Sequence, residues 1–149
     1  MNNLRNRAAE AALYPQNPET IRRVISVEIL LNNTTGKFTF PNNNELNGKR
    51  IIGISVPDNS AGNMKSISNV AVATNACVAA TYLEIRRDSD NIIYQVPLKF
   101  YQETSGDREV RPINIKGFNP QTSGIQIVDV STYTSGSTSL VIVIEYTDI

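Results

Sequence analysis

The sequence contains no histidine, no tryptophan and a single cysteine among its 149 residues. Without histidine, the chain lacks the commonest general base, the Ser/His/Asp and Cys/His nucleophile arrangements, and every histidine-containing zinc site. The lone Cys77 excludes an internal disulfide, and its Ala/Val-rich surroundings indicate a small buried hydrophobe rather than a reactive thiol. We therefore expect a protein that is not an enzyme and holds no cofactor.

An excess of either charge is also absent, since 14 Lys and Arg balance 14 Asp and Glu. A dedicated nucleic-acid binder needs a concentrated basic face, which this balance does not favour. No stretch approaches the length of about 20 apolar residues that a membrane span needs. The first 13 residues lack the apolar region of a secretory signal. We expect a protein that is made in the cytoplasm, is not secreted and has no membrane span.

The N-terminal residues 1–20 are predicted to form a helical arm and a linker. Alanine is the best helix former, and Leu4 and the alanines after it recur at helical spacing over Asn2–Leu13. Tyr14 ends the helix because the residue before a proline is pushed out of the α region. The apolar stripe is thin, so this helix is marginal alone and must dock on the body or reach to a neighbour.

From residue 21 to residue 149 the pattern changes to short runs of period two, which is typical of half-buried β-strands. Eight or nine such runs, separated by turn signals and with no internal helix, predict an all-β fold. The natural packing is an antiparallel β-sandwich, and we expect a single jelly roll of eight or so strands. The sequence thus predicts an arm over 1–20 and one β-sandwich domain over 21–149.

Several strands carry more specific signals. The clearest hairpin is predicted between Ile25–Leu31 and Lys37–Phe40, and Val70–Thr74 is expected to be a short strand. Pro97 places the strand Ile92–Tyr101 at an edge or breaks it, because proline cannot donate to a ladder. Leu140–Tyr146 is apolar on both faces in its middle and is therefore expected to be central.

The run Arg50–Val56 is predicted to be a strand with Ile52, Ile54 and Val56 on one face. Gly53, inside this run, indicates a bulge or a close approach of another backbone.

Other constellations have a structural and a functional interpretation. Asp88–Asn91 spaces oxygen ligands as a calcium loop does, but the remaining EF-hand positions are missing, so we interpret it as a hairpin turn. Five aromatic residues are candidates for a stacking platform for sugars or bases. We favour core and interface packing for them, because aromatics total only 7% of the chain. These five are Tyr82, Tyr94, Phe100, Tyr101 and Phe118.

Two surface features point to contacts with other molecules. Arg5 and Arg7 lie in the arm, where they are either solvated surface charge, which we favour, or a contact with packaged nucleic acid or an acidic neighbour. Tyr133 lies in the polar run Ser131–Ser139 and is the better candidate for an exposed aromatic contact.

Four segments carry a resemblance to one family: Leu46–Ile54 (LNGKRIIGI), Ala80–Ile85 (ATYLEI), Tyr94–Leu98 (YQVPL) and Val143–Tyr146 (VIEY). Their order resembles that in small jelly-roll capsid and vertex (penton) proteins of icosahedral phages. Thr81 and Glu84 are more polar than the corresponding positions of the family pattern. The resemblance covers nearly all of residues 21–149 and implies a virion protein whose N-terminal arm reaches under a neighbouring subunit.

We therefore expect a non-enzymatic virion structural protein, a capsid or vertex component of a bacteriophage, located in the virion. It would assemble with itself as a homo-oligomer, a pentamer at a vertex, and with other capsid proteins. The candidate assembly contacts are Leu4, Arg5, Arg7, Leu13, Tyr14 and Tyr133. The alternative is a ligand-binding β-sandwich that recognises a carbohydrate or a receptor. An enzyme of the cupin kind is disfavoured because its metal site relies on histidines.

Overall fold

The computed structural model describes residues 21–31, 36–87, 90–102, 111–128 and 138–148. The predicted helix Asn2–Leu13 and its linker lie outside these ranges. The described strands are β1 (Arg23–Leu31), β2 (Gly36–Thr39), β3 (Arg50–Ser55), β4 (Thr81–Arg87), β5 (Asp90–Pro97), β6 (Arg111–Ile115), β7 (Gly124–Ile127) and β8 (Thr138–Thr147). The described helical segments are one short α-helix, α1 (Asn75–Ala79), and two 3₁₀ turns, η1 (Leu98–Tyr101) and η2 (Pro120–Thr122).

The strands form two antiparallel sheets of four strands each, which confirms the predicted all-β class. Sheet A has the order β1-β8-β3-β6, and sheet B has the order β2-β7-β4-β5. β8 lies in the interior of sheet A, where it pairs with β1 along one side and with β3 along the other. This confirms the central position that was predicted from its apolar middle.

The buried side chains of both sheets belong to one hydrophobic cluster. Val27 and Ile142 contribute to it from sheet A, and Leu83 and Ile125 contribute from sheet B. Along β7, buried residues alternate with less buried ones, as the period of a strand requires. Burying one such side chain completely stabilises the fold by about 1.5–3 kcal/mol. Two antiparallel sheets that share one core are consistent with an all-β sandwich.

The hairpin predicted between Ile25–Leu31 and Lys37–Phe40 is wrong. β1 pairs with β8 in sheet A, whereas β2 pairs with β7 in sheet B. Neighbouring strands in sequence often pair, but here the connection over residues 32–35 joins two different sheets. The partner of each strand comes from the far end of the chain, and local turn signals do not report such a pairing.

The buried face of β3 differs from the prediction at one residue. Ile52 was expected to share a face with Ile54 and Val56, but Ile51 is buried and Ile52 is only half-buried. The register with both neighbouring strands shifts between Ile51 and Gly53. Such a bulge adds one residue and exchanges the two faces of the strand. The bulge that Gly53 indicated is thus confirmed, and it explains the error at Ile52.

The strand that was predicted over Ile92–Tyr101 is shorter. β5 ends at Pro97 and lies at the edge of sheet B, which agrees with the signal of the proline. The chain then turns into η1, which buries Leu98 and Tyr101 and leaves Phe100 half-exposed. The prediction extended too far because the alternation of apolar residues continues through this turn.

The segment between β3 and β4 also differs from the prediction. Val70–Thr74 is not a strand, although it makes isolated bridges, one of them between Val72 and Ser139 of β8. No internal helix was expected, but α1 is present and buries Cys77 and Val78. Its five residues are too few to produce a recognisable helical period. The burial of Cys77 itself confirms the prediction.

Candidate functional site

The six predicted assembly contacts all lie outside the residues that the structure describes. Those contacts are Leu4, Arg5, Arg7, Leu13, Tyr14 and Tyr133. The described residues instead offer three surface features, which are exposed apolar side chains, a tightly anchored loop and a buried carboxylate.

Exposed apolar side chains are concentrated on β1 and on sheet B. Val24 and Leu30 lie on β1 with more than half of their surface exposed, and Tyr94 and Val128 do so at sheet B. β1 is an edge strand of sheet A and pairs only with β8 among the described residues. An edge strand with exposed apolar side chains is a template for contact with another chain.

The loop between β3 and α1, residues 56–74, presents one isoleucine to solvent. Ile67 is 99% exposed at the tip of this β3–α1 loop. The tip is a hydrogen-bonded turn, in which Ser66 N–H donates to Val70 O and Asn69 N–H donates to Ser66 O, both at 2.9 Å. Asn69 adopts the left-handed conformation, with φ of 60°, which asparagine tolerates better than most residues. A structured turn therefore displays an apolar side chain, as protein-binding loops do.

Asn59 connects distant parts of this loop to one another and to α1. Its buried side-chain amide donates to the carbonyl oxygens of Val72 (3.1 Å) and Ala73 (3.4 Å). Its Oδ1 accepts from the N–H of Met64 at 3.3 Å. Its own N–H donates to Asn75 Oδ1 at 2.9 Å, so the anchor also connects the loop to α1. All these bonds are local to the loop and α1, and together they fix the path of the chain.

Glu28, on the outer face of sheet A, holds the far side of the same loop. Ser68 Oγ donates to Glu28 Oε2 at 3.0 Å. The pKa of Glu28 is lowered from its ordinary value of 4.5, first by the hydroxyl of Ser66 and then by those of Ser139 and Ser68, which outweigh the opposing effect of burial. The ionised carboxylate is therefore the form that binds the loop.

The outer face of sheet B carries a carboxylate that is nearly buried. Glu84 lies on β4 between Leu83 and Ile85, both of which face the core, so its side chain starts on the opposite face. It is nevertheless only 7% exposed. Its Oε2 lies 3.4 Å from Nζ of Lys37 on β2. β7 runs between β4 and β2, so the contact between Glu84 and Lys37 spans β7. The β7 residue opposite Glu84 is Gly124, which has no side chain.

Gly124 is required by the backbone as well as by Glu84. A Cβ at this position would collide with the carbonyl oxygen of Phe38 on β2. β2 therefore approaches β7 so closely that only glycine fits between them. The ion pair between Lys37 and Glu84 spans β7, the strand to which Gly124 belongs.

A cavity of about 360 Å³ lies beside Glu84, with Lys37, Arg86 and Thr122 also in its lining. Oε1 of Glu84 is buried and has no hydrogen-bond partner among the described residues. Buried polar atoms normally have a partner, and an ionised carboxylate oxygen accepts hydrogen bonds only.

A second cavity, of about 290 Å³, lies on the same face and is lined by Tyr82, Gln95, Gln126 and Val128. Tyr82 and Gln126 are opposite each other, one row along the strands from Glu84 and Gly124. Gln95 belongs to a β-bulge in β5, because the register with β4 shifts between Leu83 and Ile85. Gln95 has a φ of 52°, a left-handed conformation that is uncommon for residues other than glycine.

A third cavity, of about 660 Å³, lies between the edges of the two sheets. It is lined by residues of β1, among them Glu28 and Leu30, and by residues of β2 and the segment that follows, among them Lys37 and Phe40. Each of these two strands has one side without a strand partner among the described residues. An extended segment of another chain can pair with such an edge.

The aromatic residues divide between the core and the surface. Phe118 and Tyr101 are buried, as core packing predicted, whereas Tyr94 and Phe100 are about half exposed. Tyr82 is half-buried and lines a cavity. Within the described ranges, no group of three or more His, Cys, Asp or Glu side chains is close enough to hold a metal ion.

Acidic residues near the C-terminus contact three basic side chains at or just before the starts of β1 and β3. Arg23 Nη2 and Lys49 Nζ lie 3.6 Å and 2.9 Å from the two oxygens of Asp148. The contact with Lys49 is the main cause that lowers the pKa of Asp148. Arg22 forms a contact of 3.4 Å with Glu145. Such exposed pairs contribute little stability.

No family model matches the chain, and no curated protein or solved structure matches it either. Among the described residues there is no helix with the length and hydrophobicity of a membrane span.

The two features that sequence reasoning missed are Asn59 and the Glu84 site. Asn59 lies in a polar loop where many asparagines form local turns, and only its burial distinguishes it. Glu84 did leave a signal, because it is a charged residue in a strand whose neighbours are apolar. The sequence pattern recorded it only as a departure from a more apolar strand.

Proposed function

We propose that this protein is a structural component of a virion, a capsid or vertex protein that assembles with copies of itself and with other capsid proteins. Its role is non-enzymatic, and its site of action is the virion. The observation that carries the proposal is the pairing of the strands.

The strand pairing supports a single jelly roll. β1 pairs with β8, β2 with β7, β3 with β6 and β4 with β5. This is the pairing of one long hairpin, with β4 and β5 at its closed end. The further pairings of β3 with β8 and of β4 with β7 wind that hairpin into two sheets. An eight-stranded, two-sheet Greek-key arrangement of this kind is the jelly roll, which is common in viral capsid proteins.

The segments that carry the family resemblance lie on neighbouring strands. Leu46–Ile54 leads into β3, and Val143–Tyr146 belongs to β8, its neighbour in sheet A. Ala80–Ile85 covers most of β4, and Tyr94–Leu98 ends β5, its neighbour in sheet B. The resemblance therefore follows strands that pair with one another, which favours a shared fold over a chance match of apolar runs.

The exposed apolar side chains support assembly with other chains. Single exposed apolar residues are common on monomers, but Ile67 stands on a hydrogen-bonded turn that α1 and Asn59 hold in place. Val24 and Leu30 add two further apolar side chains on the exposed edge of sheet A. In a shell, neighbouring subunits would cover these side chains.

The cavity between the edges of β1 and β2 is a suitable binding site for the N-terminal arm of a neighbouring subunit. Its lining combines Leu30 and Phe40 with the polar residues Glu28 and Lys37. A helical arm that lies in this cavity would place its apolar residues, such as Leu4 and Leu13, against Leu30 and Phe40.

Imaging of the intact protein by negative-stain electron microscopy, together with light scattering, tests this proposal. We expect rings or shell fragments. Deletion of residues 1–18 is expected to abolish them while leaving the β-type circular dichroism spectrum unchanged. Ile67→Ser, which changes one exposed side chain, is expected to weaken assembly with no loss of fold.

A strictly monomeric protein that binds a receptor or a carbohydrate would contradict the proposal and favour the ligand-binding alternative. Deletion of residues 1–18 that unfolds the body would contradict the role given to the arm.

A further inference from the structure

The outer face of sheet B has the properties of a site for a small polar ligand, and this conclusion does not depend on the proposed role in a shell. Its central residue is Glu84, whose carboxylate is more than nine-tenths buried and has one oxygen with no partner among the described residues. The cavity beside it has a volume of about 360 Å³. That volume lies within the range of small-molecule sites.

The charges around Glu84 restrict the ligand to a neutral molecule with hydrogen-bond donors. Lys37 and Arg86 line the same cavity, so a metal cation or an amine would be repelled by two positive side chains. An anion would be repelled by the carboxylate of Glu84 itself. A hydroxyl group avoids both conflicts, because it can donate to the carboxylate of Glu84 and accept from Lys37 or Arg86.

The neighbouring cavity adds a ring and two amides. Tyr82 offers an amphipathic aromatic ring, and Gln95 and Gln126 each offer both a donor and an acceptor. A sugar has hydroxyl groups around its rim and C–H groups on its faces, which match amides and an aromatic ring respectively. The two cavities lie on adjacent rows of one sheet face, so the surface is long enough for two linked sugar units.

We propose that the outer face of sheet B is a binding site for a neutral saccharide of about two units. Glu84 accepts a hydrogen bond from a hydroxyl of one unit, and Tyr82 and Gln126 contact the other. Gly124 also lines the cavity beside Glu84.

Saturation-transfer difference NMR on the intact protein tests the proposal, and it remains usable if the protein is oligomeric. The probes are maltose, cellobiose, lactose and chitobiose, each followed by isothermal titration calorimetry. We expect at least one of them to bind with a dissociation constant of about 1 mM, as befits a small open site. Glu84→Gln keeps the shape of the side chain, removes its charge and is expected to weaken binding roughly tenfold.

The matched control is Glu45→Gln, which changes an exposed carboxylate that lines none of the three cavities. We expect it to bind as the unchanged protein does. Gln126→Ala supplies a second variant that leaves the contact between Lys37 and Glu84 in place, in case Glu84→Gln impairs folding, and it should also weaken binding. The proposal is overturned if none of the four disaccharides binds, if Glu84→Gln and Gln126→Ala both bind at full affinity, or if only an ionic probe such as inorganic phosphate or spermidine binds.

Discussion

Replacing Asn59 with alanine should destabilise the protein through the loss of hydrogen bonds inside the β3–α1 loop. The substitution removes two hydrogen bonds from the side-chain amide, to the carbonyl oxygens of Val72 and Ala73. It also removes the acceptor of the Met64 N–H. A net contribution of about 1 kcal/mol per bond, together with buried groups left without a partner, gives an expected loss of about 2–4 kcal/mol.

Urea denaturation followed by circular dichroism measures this loss. The protein concentration must be held constant, because assembly would couple stability to concentration. We expect the midpoint to fall while the slope m stays the same, since the surface exposed on unfolding hardly changes. Asn63→Ala, an exposed asparagine of the same loop, is the control and should change stability by less than about 0.5 kcal/mol. If Asn59→Ala and Asn63→Ala lose equally little, the anchoring role of Asn59 is refuted.

Three further predictions concern the core, one carboxylate and one glycine. Leu83→Ala, at a position with 0% exposure, should cost about 2–5 kcal/mol in urea denaturation; a cost below about 1 kcal/mol would contradict the described core. Because hydroxyl groups lower the pKa of Glu28 in the folded state, its stabilising effect is present above 4.5 and is lost as the pH falls through the folded pKa. Denaturation at pH 6 and at pH 3 should therefore show a smaller acid-induced loss for Glu28→Gln than for the unchanged chain, and an equal loss would refute the role of Glu28. Gly124→Ala should detach β2 from β7, which hydrogen exchange would report as lost protection at Phe38; retained protection would contradict the close approach.

The parts of the fold that the sequence could predict are those that depend on local signals. Pro97 correctly indicated an edge position because a missing N–H has the same effect in any sheet. The apolar middle of β8 correctly indicated an interior strand. The bulge at Gly53 was also predicted, but the face on which Ile52 lies was predicted wrongly.

The pairing of strands could not be predicted from local signals. β1 and β2 are close in sequence and each has a clear strand pattern, yet they join different sheets. Their partners β8 and β7 come from the other end of the chain, and the turn residues between β1 and β2 contain no information about them. Pairing over such distances is decided by which faces become buried together.

The Glu84 site could not be predicted for the same reason. Lys37, Glu84 and Gly124 come from three separate strands. Lys37 and Glu84 meet because the sheet places β2 and β4 on the two sides of β7. In the sequence, Glu84 is one charged residue in an apolar strand, and nothing nearby indicates a partner. Its burial depends on a glycine forty positions further along the chain.

The most direct test of the proposed assembly role is sedimentation velocity of the intact chain over a range of concentrations at physiological salt. The account predicts a discrete oligomer, a pentamer for a vertex protein, that persists on dilution and is weakened by Ile67→Ser. A single species with the mass of one chain at every concentration would contradict it.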